Sequence, residues 1–207
     1  MAARGGRPRG TVYSVAWRGL DAERQTLMTR LTTARLILRE FAEADWPAFH
    51  AIESLPEVAR YQSFDPRTAE ESRAYVRDAS QSAGDDPRLT YDLAIVLAAD
   101  DRLIGRCGLH ISDPEIREGV LWYTLHPDAW GHGYTTEAAR AMVTFGFREL
   151  GLHRIWADSD PRNIGSWRVL EKLGLRREGH LRENAWIKGE WVDSFIYAIL
   201  NREWTEA

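Results

Sequence analysis

Apolar and polar residues alternate with period two from Leu36 to Phe41, which predicts a strand with one buried face. The next two segments, Glu43 to Ser54 and Thr68 to Ser82, place their apolar residues at helical spacing, with Ala69, Ala74 and Val76 among the smaller ones of the second. Apolar runs at Tyr91 to Ala98 and Leu103 to Ile111 flank Asp100-Asp101, the arrangement of a hairpin. A third run, Val120 to Leu125, breaks into a two-glycine turn and opens on a helix extending to about Leu150. Arg154 to Ala157 reads as a short buried strand, Asn163 to Leu173 as a helix stopped by Gly174, and Trp191 to Leu200 as the last strand. The order is mixed α/β, of the α+β type, with no internal repeat or linker. It predicts one domain over residues 29–207.

Residues 1–28 differ from the rest. Five arginines stand against Asp21 and Glu23, with glycines and little apolar periodicity, which predicts a disordered leader or a start placed ahead of Met28. The stretch lacks the uninterrupted apolar segment of a secretory signal. Across 207 residues, 44% hydrophobic content and nine tryptophans suffice for a single core. A net charge of −4 speaks against a nonspecific polyanion binder, so no nucleic acid is expected, and favours cationic or amine partners. No run of about eighteen apolar residues predicts a membrane span. Cys107, the single cysteine, cannot form an internal disulfide, which fits a cytoplasmic protein, and no Cys/His spacing predicts a metal.

The chemistry concentrates in two segments. In the first, Leu121 to Ala138, Gly131 and Gly133 permit positive φ and close approach of the backbone, while free amides and the helix dipole favour an anion. The turn reads as a phosphate cradle. It departs from the dinucleotide fingerprint, having Thr136 where a third glycine is wanted, and from the P-loop, lacking the Gly-Lys-Ser/Thr ending. In the second segment, Asp160 to Gly179, Asn163 is a good N-cap and Ser166 sits three residues on; both residues are explained by the helix end alone or by a ligand.

Together, W-G-x-G-Y-x-T-E-A from Trp130 and N-x-x-S-x-x-V-L-E-K-L-G from Asn163 resemble the GNAT superfamily of N-acetyltransferases, in its RimJ/RimL-like branch. The resemblance runs from about Leu31 to Trp204. It implies a mostly antiparallel central sheet, flanked by helices, whose fourth and fifth strands splay apart to admit the pantetheine arm of acetyl-CoA, a co-substrate. It places the pyrophosphate on the loop Trp130, Gly131, His132, Gly133, Tyr134 and Thr135, and the pantetheine and acetyl carbonyl on backbone groups left unpaired at a bulge around Tyr123 and Leu125. It also sets the Asn163 amide on the cofactor and the Ser166 hydroxyl near the sulfur as proton donor.

An α-amine titrates near ~8 and needs only a modest base, a lysine amine near ~10.4 a stronger one. Many relatives carry a glutamate three residues before the strand tyrosine, where this chain has Val120; Glu118, two residues further back on the same face, is the first candidate base, with an exposed hairpin position as its other reading. His110 and His126 are alternatives. Cys107 sits in an apolar pattern with nothing to lower its pKa, so direct attack in a ternary complex is expected rather than a covalent intermediate. The acceptor pocket is expected between Trp46 to Ser63 and Leu181 to Trp191, with Trp186 and Trp191 lining it. The reading is an acetyl-CoA-dependent N-acetyltransferase, monomer or homodimer, with a protein N-terminal amine favoured as acceptor. Its rivals are a small-molecule acetyltransferase acting on an antibiotic, polyamine or amino acid, and a non-catalytic acyl-CoA-binding module.

Overall fold

Alternation along the strands sorts the buried side chains into two sets, one on each face of a single sheet. Leu36, Leu38, Leu93, Ile95, Leu109 and Leu121 share one face with the helical residues Ala138, Ala139, Met142, Val143 and Leu170. Ala94 and Val96 point the other way, against Phe41, Phe49 and Val76. The computed structural model describes residues 28–205, so the leader expected over residues 1–28 lies outside the described residues except for Met28.

Among the described residues the sheet has eight strands: β1 (Arg30–Thr32), β2 (Leu36–Arg39), β3 (Thr90–Leu97), β4 (Leu103–Asp113), β5 (Glu118–Leu125), β6 (Arg154–Ser159), β7 (Arg176–Ile187) and β8 (Glu190–Leu200). Their spatial order is β1-β2-β3-β4-β5-β6-β8-β7. Helices α4 (Tyr134–Arg148) and α5 (Ile164–Lys172) bury residues in the larger core, and α1 (Trp46–Glu53) and α3 (Ala69–Ser82) in the smaller one. A short α2 (Pro56–Ala59) follows α1. The fold is the mixed, mostly antiparallel one expected.

One seam differs from the others. β5 and β6 are parallel and pair only at Glu118↔Arg154, Gly119↔Ile155 and Val120↔Trp156, although β5 continues to Leu125 and β6 to Ser159. Beyond the seam each strand follows its other neighbour: β5 stays registered with β4 up to Leu125, and β6 with β8 up to Ser159↔Phe195. Two half-sheets therefore diverge from a common root. The unpaired edge of β5 comes from this splay rather than from the expected bulge, since the register with β4 is unbroken from Gly105↔Leu125 to Ile111↔Gly119.

Three elements escape the sequence pattern. β1 is only three residues long, and α2 is a single turn that begins at Pro56, with two residues between it and the end of α1. β7 is exposed along most of its length and its register with β8 shifts twice, so no period of two survives; pairing with β8 alone makes it a strand. Lys188 and Gly189, both at positive φ, form the two-residue turn of that hairpin.

Under α1 and α3 lies a buried ionic network. Arg106 donates from Nε to Glu53 Oε1 at 3.0 Å, and from Nη1 to Tyr75 Oη at 2.7 Å and Asp92 Oδ2 at 3.3 Å. Tyr75 in turn donates to Asp92, and Arg67 reaches Glu53 at 3.4 Å. Burial disfavours the Arg106 charge, yet Asp92, Tyr75 and Glu53 outweigh it and hold the guanidinium protonated. The network ties the end of α1, and so α2 after it, to the middle of β4. Removing Glu53 takes one of the two carboxylates from the buried Arg106 guanidinium, at a cost of about 3 kcal/mol. Glu53→Ala is expected to lower the melting temperature by roughly 6–12 °C; a thermal melt within 2 °C of the parent would show that the network contributes little.

Candidate active site

The glycine loop has the backbone that its composition demands. Gly131 and Gly133 stand at φ 78° and 79°, in the region that L-residues avoid. Gly133 is the N-cap of α4 and carries no side chain to cap it, so the first amides of a fifteen-residue helix keep free N–H groups directed outward. A second contact fixes their direction. Glu137, in the first turn, accepts from the Thr33 hydroxyl at 2.6 Å, the Arg35 amide at 2.9 Å and the Arg35 Nε at 2.7 Å, while Arg35 Nη1 holds the His132 carbonyl at 3.0 Å. Burial alone would raise the Glu137 carboxyl; the hydrogen bonds from Thr33 and Arg35 outweigh it and set it below its ordinary range. The loop is thereby clamped to the β1–β2 turn.

The edge of β5 follows from ladder arithmetic. The His126 amide bonds the Ile104 carbonyl at 2.8 Å, so the even-numbered partners of this antiparallel pair exchange hydrogen bonds and the odd ones, Tyr123 and Leu125, turn their N–H and C=O away from β4. They face the gap left by β6. The Leu125 carbonyl is taken by Trp130 Nε1 at 2.9 Å, which ties the glycine loop to the strand end. Across the gap, the Tyr123 hydroxyl donates to the Ser166 carbonyl at 2.9 Å and lies 3.3 Å from the Ser166 hydroxyl. Burial is the main cause that pushes the Tyr123 phenol up, against the Ser166 hydrogen bond, so it stays protonated. Asn163 Oδ1 accepts from the Ser166 amide at 3.2 Å: the cap is real, and it uses the oxygen while leaving the side-chain NH₂ uncommitted.

These groups line one cavity of about 580 Å³. Of the residues expected at the cofactor, Tyr123, Leu125, Trp130, Gly131, Gly133, Thr135, Asn163 and Ser166 border it. His132 and Tyr134 do not; their rings stack on each other at 5.6 Å, with Arg35 4.5 Å over Tyr134, and buttress the loop from outside. The cavity adds Arg168 and Lys172, one turn apart on α5, and Arg162 ahead of that helix, cations that the sequence reading missed. Their signal was the i, i+4 spacing behind Asn163. From the early segment, Glu57, Val58, Tyr61 and Gln62 border the same space. Free amides, unpaired strand groups and cations together suit a ligand with phosphates at one end and an extended amide-bearing arm, which is the chemistry of acetyl-CoA.

Several expected residues stand elsewhere. Glu118 lies at the root of the splay, about 16 Å along β5 from Tyr123. Its carboxylate accepts from Arg154 Nη1 at 2.6 Å and Trp156 Nε1 at 3.0 Å, so it fastens β5 to β6 and does not border the cavity. Trp186 and Trp191 form an exposed edge-to-face pair at 5.1 Å near the tip of the β7–β8 hairpin, outside the lining. His110 pairs with Thr90 and His126 caps the turn at Asp128. Cys107 is fully buried and its thiol is pushed up by that burial, as an inert core residue. Among the described residues no cluster of three or more His, Cys, Asp or Glu has metal-binding geometry, and no helix is long and apolar enough to cross a membrane.

The profile of the acetyltransferase (GNAT) domain family matches residues 35–176. N-acetyltransferase YnaD of Bacillus subtilis, itself uncharacterized, is 36% identical over 174 residues, 84% of this chain and 98% of its own length. The ribosomal protein uS5-alanine N-acetyltransferase of Escherichia coli is 32% identical over 85 residues, 41% of this chain and 44% of its own. A solved GNAT-family acetyltransferase from Bacillus anthracis shares the fold with a TM-score of 0.77 at 31% identity, covering 84% of this chain and 100% of the other.

A Cβ at Gly133 would meet only Arg35 Nη2, at 3.6 Å, so space does not require glycine there; the φ of 79° does. Holding an L-residue in that conformation costs about 1–2 kcal/mol, more for a β-branched one. Gly133→Val is therefore expected to turn the loop amides away and weaken acetyl-CoA binding by roughly tenfold or more, with a melting temperature only a few degrees lower. Calorimetry giving parental affinity in the folded variant would remove the loop from the binding site.

Proposed function

We propose that this chain, which belongs to the GNAT acetyltransferase family and is an N-acetyltransferase, moves the acetyl group of acetyl-CoA onto the α-amine of a protein N-terminus by direct attack in a ternary complex. The observation that carries this reading is the continuity of one cavity, from the uncapped α4 terminus, along the unpaired edge of β5, past the Tyr123 and Ser166 hydroxyls, to α2. A donor entering at the glycine loop and an acceptor entering from α2 meet at the gap. The uS5-alanine N-acetyltransferase relative supports an N-terminal α-amine as acceptor.

In this scheme the amides of Gly131 to Thr135 and the cations Arg168 and Lys172 hold the phosphates. The β5 groups at Tyr123 and Leu125 align the pantetheine arm and offer an N–H to the acetyl oxygen as it gains charge. Asn163 contributes its free NH₂. The Tyr123 phenol, kept protonated by burial, gives its proton to the departing sulfur, and Ser166 at 3.3 Å orients that hydroxyl and shares the hydrogen bond. In this scheme Tyr123, in place of the Ser166 expected from sequence, is the proton donor, and Ser166 is its hydrogen-bonding neighbour. Glu118, expected as general base, is committed to Arg154 and Trp156 and takes no part.

Mass-spectrometric turnover with acetyl-CoA and a panel of free-N-terminus peptides, spermidine, an aminoglycoside and free amino acids tests the acceptor. Peptides are expected to give the highest kcat/KM; a small amine above every peptide would favour the small-molecule reading. For the acid, Tyr123→Phe should lower kcat on the order of 10²-fold and Ser166→Ala about tenfold, each with acetyl-CoA affinity nearly retained. Parental kcat in Tyr123→Phe would end its assignment.

A further inference from the structure

We infer that Glu57 receives the acceptor's ammonium and removes its proton. The inference rests on the proposed transfer to an amine and adds the group that such a transfer requires and Glu118 cannot supply. An α-amine near ~8 arrives mostly protonated at neutral pH, and an ammonium is no nucleophile. A proton acceptor must therefore face the cavity. Among the described residues bordering it, Glu57 alone carries a carboxylate. It is exposed and has neither a hydrogen bond nor an ion pair among the described residues, whereas neighbouring acids are engaged: Asp160 and Glu190 with Arg162 at 2.6 and 2.9 Å, and Asp193 with His180 at 2.6 Å.

The support beneath Glu57 is firm although its side chain is free. Val58 and Ala59 are buried, the Lys188 ammonium of the β7–β8 turn holds the Ala59 carbonyl at 2.6 Å, and Glu53, four residues before Glu57, is bound to Arg106. Tyr61, one turn on, borders the same space. Charge along the cavity is thus divided. Arg168 and Lys172 stand on α5, with the groups that suit phosphate, Arg162 is held by Asp160 and Glu190, and the single anion stands on α2. A polyanionic donor and a cationic acceptor are each drawn to their own end.

The Glu57 carboxylate takes one proton from the ammonium, leaving a neutral amine whose lone pair forms the bond to the acetyl carbon. The carbon–sulfur bond breaks, its electron pair leaves on sulfur, and the Tyr123 phenol protonates that sulfur. The new amide nitrogen loses its surplus proton, which restores the phenol, and Glu57 releases the first proton to water. The net products are an acetylated amine, free CoA and one proton.

Glu57→Gln keeps size and polarity and removes the base. With a hexapeptide bearing a free N-terminal alanine, kcat/KM is expected to fall roughly 10²-fold at pH 7 and the deficit to shrink toward pH 9.5, where the amine is neutral unaided. Acetyl-CoA affinity and melting temperature should be unchanged. Glu57→Asp should recover part of the rate. Arg162, Arg168, Lys172, Tyr61 and Tyr123 also face the cavity, and are present in both proteins, so the ratio of the two pH profiles isolates Glu57. A ratio near one at all pH values, or a deficit constant with pH, overturns the inference while leaving acetyl transfer intact. Absence of turnover of every panel amine by the parent protein overturns the transfer reading and this inference with it.

Discussion

The short parallel seam between β5 and β6 is the constraint on which the site depends. Three residue pairs hold the strands together at one end, and Glu118 fastens them through Arg154 and Trp156. Everything beyond the seam is determined by other partners, β4 for one strand and β8 for the other. A longer seam would satisfy the Tyr123 N–H and C=O and the Leu125 N–H within the sheet and close the cavity. A weaker one would leave the two half-sheets without a fixed spacing. The Tyr123 hydroxyl on Ser166 then sets the width of the gap from the far side, joining β5 to α5 across it.

The site is stabilised by groups that, Trp130 apart, do not border it. Glu137, Thr33 and Arg35 fix the glycine loop from behind, Trp130 ties its beginning to the end of β5, and the Arg106 network holds the chain from which α2 emerges. Each places an unpaired polar group where a ligand can complete it. That division explains why the first turn of α4 keeps its amides free: folding satisfies the carbonyl of His132 and the carboxylate of Glu137 but offers no cap at Gly133. The energy that orients the loop is supplied by the fold rather than by the ligand.

What the sequence made legible was local. Positive φ at Gly131 and Gly133 and the cap at Asn163 are properties of a few adjacent residues, and they stand in the structure as their chemistry predicts. The apolar runs of β3 and β4 were equally plain because both strands are buried along most of their length. What remained hidden depends on chain brought from a distance. Glu118 was assigned a face correctly by alternation, yet Arg154 and Trp156, thirty-six and thirty-eight residues on, decide what it does there. Strand β7 has no apolar period because it is an edge, exposed and bulged. Trp186 and Trp191 suggested a pocket by composition, but the hairpin turns them outward. Glu57 sits on a single helical turn too short to show periodicity, and only the shared cavity gives it meaning.

Amide hydrogen exchange with and without saturating acetyl-CoA tests the central claim most directly, because the account identifies the backbone groups that folding leaves unpaired and a ligand must complete. Protection is predicted to rise over residues 131–136 and 121–125 together, with the paired root at 118–120 unchanged. Saturation of the protein without added protection in either segment, or with protection confined to other parts of the chain, would contradict it.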